Sequence, residues 1–421
     1  MHGNEPEKIK LYIFTDQCPY GRGDNTFILP ELEVLKEIFD IVLISAATKS
    51  DVSEGKLPTQ CEGIKILRFC PGEQRGMAFY RFFLLFWLNK VCLLEVKEIA
   101  KTHKKFFLRV WKSMHFYARA ESLYCWLKRE NIIGQEKGIY YSYWYNERVL
   151  AMTMHRGQHS NLKIITRAHG YDLFDERQET TLRQPFKSIM DDKVDKVIFI
   201  SDYNHNYYVS KMAKRDSSKY FVYKIGALKA ETFPGSISRR EVFRVVSCSN
   251  LIKLKRVTLI VDALNLISDV KIEWIHFGSG SEETQTREYA KRLQVKDNIN
   301  YSFKGYVPRE VIYEYYQTTY VHCFINVSET EGSPVSIQEA LAFGIPIIGT
   351  DVGGVSEMIK GNGCLLKRDC TPEDIAHKIK MLAELDDTAY EEMRRISFGI
   401  WKNDYNQIEN AMKFRDFLLT I

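Results

Sequence analysis

The chain has 421 residues, more than a single hydrophobic core comfortably organises, so two domains are expected. Hydrophobic residues make up 45% of the chain and charged residues 27%, which is the composition of a globular protein. The net charge of +5 is modest, and no internal repeat, low-complexity tract or nucleic-acid-binding motif is present, so no nucleic acid partner is expected.

Cysteine usage and apolar runs bear on the cellular setting. The nine cysteines are scattered, odd in number and without a C-x-x-C pair, so neither a zinc site nor a disulfide framework is predicted. The first ten residues, MHGNEPEKIK, are polar, and the longest uncharged apolar run, 82–88, is too short to span a bilayer. We therefore expect a cytoplasmic protein.

Short β-rich runs alternate with helical periodicity along the whole chain, which predicts βα units and parallel sheets. In the first half the predicted strands are 11–14, 41–45, 64–68, 139–142, 163–167 and 197–201. In the second half they are 243–248, 272–277, 299–303, 321–326 and 346–349. Two sets of strands predict an α/β protein with two doubly wound domains.

Composition gives the expected domain boundaries. Residues 226–240 mix Gly, Pro and Ser with charge and lack periodicity, so we expect the interdomain linker or hinge there. It separates an N-terminal domain, 1–225, from a C-terminal domain, 241–400. Residues 401–421 predict an amphipathic helix whose apolar side chains recur at roughly helical spacing: Trp401, Tyr405, Ile408, Met412 and Leu419.

A glycine-punctuated loop, 19–24, follows the first predicted strand, and a helical pattern begins at about Thr26. Glycines at a strand-to-helix turn let the backbone approach a phosphate or a sugar closely. Gly21 and Gly23 are therefore candidate ligand-binding residues, although many α/β proteins have such a turn for packing alone.

Residues 81–112 combine cations with large aromatic side chains. Eight Lys or Arg residues stand against two Glu residues, an excess of six positive charges, beside five Phe and two Trp residues. This mixture suits an anionic membrane surface, where each cation contributes ~1 kcal/mol. The alternative is that the aromatic residues form the core face of ordinary helices and the cations solvate the other face.

His169 follows a predicted strand in the run TRAHGYD, at the sheet edge where open α/β sheets bind ligands. Asp172 in the same run is a candidate cap for the next turn. No D-x-D element lies at a predicted strand end, and Asp191 and Asp192 are interpreted as surface residues. We therefore expect no metal and no other cofactor.

The segment 328–354, SETEGSPVSIQEALAFGIPIIGTDVGG, carries most of the functional information. Ser333 is a good N-cap, Pro334 fits the first helical position and Gly344 suits a helix end, which predicts a helix over 334–342. Glu331 and Glu339 therefore flank a helix start that favours an anion. A nucleotide-sugar, in which a diphosphate joins two polyols, fits this layout. The alternative is that Glu331 and Glu339 are ordinary exposed acids at a helix start.

The stretch EGSPVSIQEALAFGIPIIGTDVGGVSEMI resembles the donor-site motif of the family 4 glycosyltransferases, retaining enzymes with the GT-B fold, especially those of bacterial polysaccharide assembly. The resemblance implies two Rossmann-like domains facing a cleft, with the helix at 401–421 returning to the N-terminal, acceptor-side domain. It also implies a nucleotide-sugar donor and a glycan or lipid-linked acceptor in cell-surface polysaccharide biosynthesis, for example of capsule or exopolysaccharide.

The same resemblance implies roles for individual residues, and it makes His169, Glu331 and Lys255 the catalytic ones. Glu331 would bind donor-sugar hydroxyls, Glu339 the ribose hydroxyls, and His169 the sugar near its reacting carbon. Lys255 and the backbone of Gly332, Ser333 and Val335 would hold the diphosphate. The turns that would contact the nucleotide-sugar contain Gly21, Gly23, Gly278, Tyr306 and Val307.

Asn250 departs from the family pattern, because the family usually has an arginine there. Either Lys253 or Arg256 compensates for the missing cation, or the donor binds less tightly. Two alternatives to a transferase therefore stay open: a nucleotide-sugar-binding subunit that regulates another transferase, and a GT-B epimerase. The epimerase would need acid and base residues that the sequence does not identify.

Overall fold

The structure is a computed structural model that describes residues 8–54, 57–70, 77–101, 105–133, 137–174, 184–211, 217–228 and 242–421. The chain divides into two compact units, each with its own parallel sheet. The first unit comprises Met1–Ile200, Asn204–Tyr223 and Ala411–Ile421, and the second comprises Ser201–Tyr203 and Lys224–Asn410. Apart from residues 226–228, the predicted linker lies outside the described residues.

The first unit has a seven-stranded parallel sheet. Its strands are β1 Ile9–Thr15, β2 Phe39–Ser45, β3 Lys65–Arg68, β4 Gly138–Ser142, β5 Leu162–Ala168, β6 Lys196–Phe199 and β7 Tyr220–Val222. They are ordered β3-β2-β1-β4-β5-β6-β7, so the order reverses between β1 and β4. In such sheets ligands bind beyond the carboxyl ends of the strands at the point of reversal.

The helices described in this half of the chain connect the parallel strands. They are α1 Arg22–Leu35, α2 Lys49–Glu54, α3 Met77–Leu88, α4 Lys90–Lys101, α5 Phe106–Arg129, α6 Glu147–Met154, α7 Gly170–Leu173, α8 Lys187–Lys193 and α9 Asp202–Lys211. Apolar runs such as IKLYIFT in β1 form the central strands, and the last five residues of β1 are all buried. Burial on both faces is what a continuous apolar run predicts for a parallel strand.

The second unit has a six-stranded parallel sheet. Its strands are β8 Phe243–Cys248, β9 Ile272–Phe277, β10 Ile299–Gly305, β11 Cys323–Asn326, β12 Ile347–Thr350 and β13 Gly363–Leu366. The order β10-β9-β8-β11-β12-β13 reverses between β8 and β11. The helices described in this half of the chain are α10 Val257–Asn265, α11 Glu283–Ala290, α12 Arg309–Thr318, α13 Val335–Ala342, α14 Pro372–Ala383, α15 Asp387–Ile400 and α16 Gln407–Leu419, and α16 lies in the first unit from Ala411 onward.

The prediction of two doubly wound parallel sheets is confirmed. All eleven predicted strands are present, and each begins and ends within two residues of the predicted position. The sequence missed β7 and β13, which are edge strands of three and four residues. Strands this short show at most a weak periodic pattern, although β3, an edge strand of four residues, was predicted.

The predicted apolar stripe at 401–421 is wrong in its phase. Trp401 and Tyr405 are buried in the second unit within a π-helical turn, Trp401–Tyr405, and extended Asn406 separates that turn from α16. The side chains that the rest of α16 buries in the first unit are Ala411, Phe414, Phe417 and Leu418, whereas Met412 and Leu419 are exposed. The π turn and Asn406 break the helical period, so a stripe counted from Trp401 cannot continue into α16.

No helix in the described part of the chain combines the length and apolarity needed to span a bilayer.

Candidate functional site

The strand order of the second sheet reverses at the carboxyl ends of β8 and β11, and an ion pair links the two loops that leave these strands. Lys255 lies in the loop after β8, and its Nζ is 2.6 Å from Oε1 of Glu331 in the loop after β11. Nδ2 of Asn326, the last residue of β11, donates to the same oxygen at 3.2 Å. Two residues predicted as catalytic are therefore in direct contact.

Backbone contacts hold these two loops together. The Glu329 N–H donates to the Leu254 carbonyl at 2.8 Å. The Arg256 guanidinium donates through Nε, Nη1 and Nη2 to three carbonyls, those of Val327, Arg368 and Ser328. Arg256 therefore braces the loop, and each nitrogen of its guanidinium already donates to the backbone. Lys253 remains exposed, as does Asn250 itself.

The start of the helix differs by one residue from the prediction. Helix α13 begins at Val335, and Pro334, with φ −68° and ψ 113°, is its N-cap. Ser333 is not the N-cap, because its Oγ is engaged by Nε2 of Gln338 at 2.8 Å. The first backbone hydrogen bond of the helix runs from Ile337 to the Pro334 carbonyl, so the Val335 N–H precedes the intrahelical ladder.

The end of the helix is as predicted. Gly344 has φ +66°, and its N–H donates to the Leu341 carbonyl at 2.9 Å. The Ile345 N–H donates to the Ala340 carbonyl at 3.1 Å, which completes a Schellman motif. Glycine accepts the left-handed conformation here without steric strain.

Gly353 and Gly354 shape the backbone that carries Glu331. A Cβ on Gly353, whose φ is +59°, would lie 1.8 Å from the Glu331 carbonyl oxygen. The Gly354 N–H donates to the Gly332 carbonyl at 2.9 Å. Only glycine permits this close approach, so the Gly-Gly pair fixes the position of residues 331 and 332.

Both predicted acids are buried. Glu331 and Glu339 are each 7% exposed, so the alternative that they are ordinary exposed helix-start residues is wrong. Burial raises the pKa of Glu339 to about 7, and the Arg309 charge and a hydrogen bond from Tyr313 oppose this rise. The Tyr313 hydroxyl is 3.4 Å from Oε1 of Glu339.

The predicted nucleotide turns meet at the same sheet edge. Gly278, with φ +130°, packs so closely on the turn after β8 that an added Cβ would lie 2.0 Å from the Ser249 carbonyl oxygen. The Gly278 N–H donates to the Gly305 carbonyl at 2.8 Å, beside Tyr306 and Val307. Tyr306 is 60% exposed and Val307 is half-buried.

In the first unit, polar residues follow β1 and β4, where the strand order reverses. Arg148 of α6 forms an ion pair with Asp16, which follows β1. The Asp24 carboxylate accepts the N–H groups of Asp16 and Gln17 at 2.8 and 2.9 Å. Helix α1 begins at Arg22, four residues before the predicted start, so Gly21 is its N-cap and Gly23 lies in its first turn instead of a loop.

His169 lies at the carboxyl end of β5, as predicted. Its ring packs on Trp144 and Tyr143, with centroid distances of 4.3 and 5.0 Å, and the residue is 8% exposed. Neither ring nitrogen forms a hydrogen bond among the described residues, but Nδ1 lies 3.5 Å from Oδ2 of Asp172. The Asp172 carboxylate accepts the N–H groups of His169 and Tyr145 at 3.1 and 3.3 Å, so Asp172 is a cap.

The prediction that Asp191 is a surface residue is wrong. Asp191 is fully buried and accepts hydrogen bonds from the hydroxyls of Tyr208 and Tyr220, whereas its neighbour Asp192 is exposed. Within the described ranges, no group of three or more His, Cys, Asp or Glu side chains is arranged to hold a metal ion.

Comparison with known proteins identifies the second half of the chain. Residues 229–397 match the family model described as glycosyl transferases group 1. This part of the chain is similar to that family. The O-antigen biosynthesis glycosyltransferase WbnH of Escherichia coli is 32% identical over 137 residues, which are 32% of this chain and 36% of WbnH. The matched stretches span only about a third of the length of such curated relatives.

Solved structures extend the likeness to almost the whole chain. The lipopolysaccharide outer core galactosyltransferase WaaB has 15% identity and a TM-score of 0.66, covering 98% of this chain and 100% of WaaB. Anabaena Alr3699/HepE in complex with UDP-glucose has 13% identity and a TM-score of 0.66 with the same coverage. The chain therefore has the GT-B fold of the glycosyltransferases.

Within the group 1 domain, the structure brings together most of the predicted donor-binding residues. The carboxyl edge of its sheet carries Asn250, Lys255, Gly278, Tyr306, Val307, Glu331, Gly332, Ser333 and Val335, with Glu339 inside α13. Gly21, Gly23 and His169 lie in the first unit. Sequence reasoning missed Asn326, whose only signal was its position at the end of a strand.

Proposed function

We propose that the protein is a retaining, metal-independent glycosyltransferase of the hexosyltransferase type. It would move a sugar from a nucleotide-sugar to a glycan or lipid-linked acceptor in cell-surface polysaccharide biosynthesis, for example of capsule or exopolysaccharide. The observation that carries the proposal is the contact between Lys255 and Glu331 beside the start of α13, where the strand order of the second sheet reverses.

The start of α13 suits a diphosphate. The Val335 N–H, the positive end of the helix dipole and the Lys255 ammonium all favour an anion there, while Gly332 has no side chain in the way. Pro334 has no N–H, so Gly332, Ser333 and Val335 are the backbone donors of this segment. These groups would stabilise the charge that develops on the departing diphosphate, the task for which other transferases use a metal ion.

Donor binding would exchange partners within the ion pair. Lys255 would turn from Glu331 to a phosphate oxygen, and Glu331 would then accept hydrogen bonds from sugar hydroxyls. Asn326 remains beside the carboxylate and keeps it hydrogen-bonded during the exchange. Because the carboxylate is 7% exposed, a sugar hydroxyl competes there with few water molecules.

Glu339 is proposed to bind the ribose hydroxyls. It lies on α13 eight residues after Glu331, and its carboxylate is held near the Tyr313 hydroxyl. A buried carboxylate that is costly to ionise alone gains most from two hydroxyl donors.

His169 is proposed to support the sugar as positive charge develops at its anomeric carbon. Its own surroundings support this role, because Nε2 of this buried imidazole has no hydrogen-bond partner among the described residues, and such a group is costly to bury unless a ligand engages it. The acceptor proton would pass to the departing phosphate on the same face of the sugar, so no enzymic nucleophile is required.

The proposed setting is the cytoplasm, at the inner face of the plasma membrane, with an anionic membrane surface as partner of residues 81–112. All nine cysteines are free thiols, which agrees with a reducing compartment. A UDP-sugar is the first donor to test, because HepE binds UDP-glucose.

Calorimetric binding and product detection with UDP-, GDP- and ADP-sugars test the proposal. Glu331→Ala should abolish transfer, whereas Glu329→Ala should leave it unchanged, because the Glu329 side chain is 43% exposed and pairs with Arg368. Binding without turnover for any acceptor would favour the regulatory subunit, which the exposed Asn250 at the usual arginine position keeps open. A changed sugar without acceptor would identify an epimerase.

A further inference from the structure

The start of the α3–α5 segment exposes large apolar side chains. Of the 22 large hydrophobic side chains that are exposed among the described residues, ten lie between Tyr80 and Trp111. Leu84, Leu88 and Phe107 are 74%, 78% and 86% exposed, far more than a packed helix surface requires. This concentration within one short part of the chain marks an interaction surface.

The exposed apolar side chains of α3 and α5 are here called the α3–α5 face. On α3 the exposed residues recur at helical spacing: Tyr80, Leu84, Trp87 and Leu88. Phe83 of α3 stacks on Trp111 of α5 with a centroid distance of 5.7 Å, which joins the two helices along this face. Phe82 and Phe86 are buried in the core. The alternative that the aromatic residues of 81–112 form the core face of ordinary helices therefore explains these two residues, but it does not explain the exposed side chains of the α3–α5 face.

The segment that carries the α3–α5 face also exposes cations: Arg81, Lys90, Lys97, Lys101 and Lys105. Of the two acids between residues 81 and 112, Glu95 is 4% exposed and Glu98 pairs with one of these cations, Lys101. The segment therefore exposes positive charge as well as leucine and aromatic side chains.

We propose that the α3–α5 face docks on an anionic membrane surface. Leucine, phenylalanine and tryptophan side chains would enter the boundary between headgroups and acyl chains, and the cations of the same segment would contact headgroup phosphates. A second copy of the chain fits less well, because a symmetric dimer would place the same cations of two molecules opposite one another.

Membrane docking extends the proposed function, and the purpose of docking rests on that function. Docking through the first unit would bring the transferase to an acceptor carried on lipid, since such an acceptor stays at the membrane surface. Vesicle binding itself needs no donor, so it is measured independently of transfer.

Sedimentation with vesicles tests the proposal on the full chain. The protein should bind vesicles of equimolar phosphatidylcholine and phosphatidylglycerol and should bind vesicles of phosphatidylcholine alone much more weakly. Lys90→Gln with Lys97→Gln should weaken binding by about 25-fold, since each cation near the surface contributes about fivefold. Salt should reduce binding of the unaltered protein, because the attraction to the headgroups is screened.

Substitution of exposed leucines by glutamine tests whether apolar side chains enter the membrane. Leu84→Gln with Leu88→Gln should abolish vesicle binding at any salt concentration, and the exposure of both side chains predicts that the fold survives. Leu266→Gln and Lys402→Gln are matched controls, because both side chains are exposed in the second unit. They should leave vesicle binding unchanged.

Three outcomes would overturn the inference: no binding to anionic vesicles, equal binding to neutral vesicles, or a dimer in solution that Leu88→Gln dissociates. Donor binding measured in the same variants separates the two proposals. Intact vesicle binding without any nucleotide-sugar binding would refute the transferase, whereas transfer to a soluble acceptor without vesicle binding would refute the docking face.

Discussion

Ionisation of Glu339 should govern both the stability of the second unit and its affinity for a nucleotide. Burial raises the pKa of this carboxyl from 4.5 to about 7, which corresponds to about 3 kcal/mol. Between pH 4.5 and 7 the unfolded chain loses the Glu339 proton while the folded protein keeps it. The free energy of unfolding should therefore fall by about 3 kcal/mol across this interval and level off above it.

Glu339→Gln removes this titration and keeps the shape of the side chain. The stability of the variant relative to the unaltered protein should rise by about 3 kcal/mol between pH 4.5 and 7.5, measured by urea unfolding. Glu329→Gln is the control, because its side chain is 43% exposed and should shift the difference little. If the difference in the free energy of unfolding between the Glu339→Gln variant and the unaltered protein stays constant with pH, the argument from burial is refuted.

Nucleotide binding should show the opposite dependence on pH. Ribose hydroxyls donate to the ionised carboxylate, and only about a tenth of Glu339 is ionised at pH 6 if its pKa is about 7. The dissociation constant of the nucleotide should therefore be about tenfold higher at pH 6 than at pH 8. Equal affinities at both pH values would exclude Glu339 as the ribose acceptor.

Three further predictions concern the loops around Glu331. Lys255→Ala should destabilise the second unit by about 3 kcal/mol, because it leaves a buried carboxylate without its cation. Adding Glu331→Ala should recover part of this loss in urea unfolding. A double variant whose loss of stability equals the sum of the two single losses would contradict the prediction. Gly353→Ala should raise the donor KM and lower the melting temperature more than Gly361→Ala does. The Cβ added at residue 353 would lie 1.8 Å from the Glu331 carbonyl oxygen, whereas the atom nearest to a Cβ at residue 361 is 3.8 Å away. Asn250→Arg should lower the donor KM by about tenfold through a charge-assisted hydrogen bond to the diphosphate; an unchanged KM would mean that Lys255 suffices.

Local patterns in the sequence were enough for much of the fold. Apolar runs predicted every strand except β7 and β13, because a buried parallel strand needs apolar side chains on both faces. Gly344 predicted the end of α13, because a left-handed residue at a helix end favours glycine. The start of the same helix was wrong by one residue, since Ser333 has a choice of partners and Gln338 engages it.

The residues of the donor site could be named from the sequence, but their contacts could not. Lys255 and Glu331 are 76 positions apart, and only the strand order of the sheet brings their loops together. No local pattern indicated that Glu339 is buried, that Arg256 braces a loop or that Asp191 lies in the core. Strands and helix ends follow from interactions within a few residues, so the sequence determines them locally. Ion pairs, burial and shifted pKa values depend on distant segments, so the tertiary structure decides them.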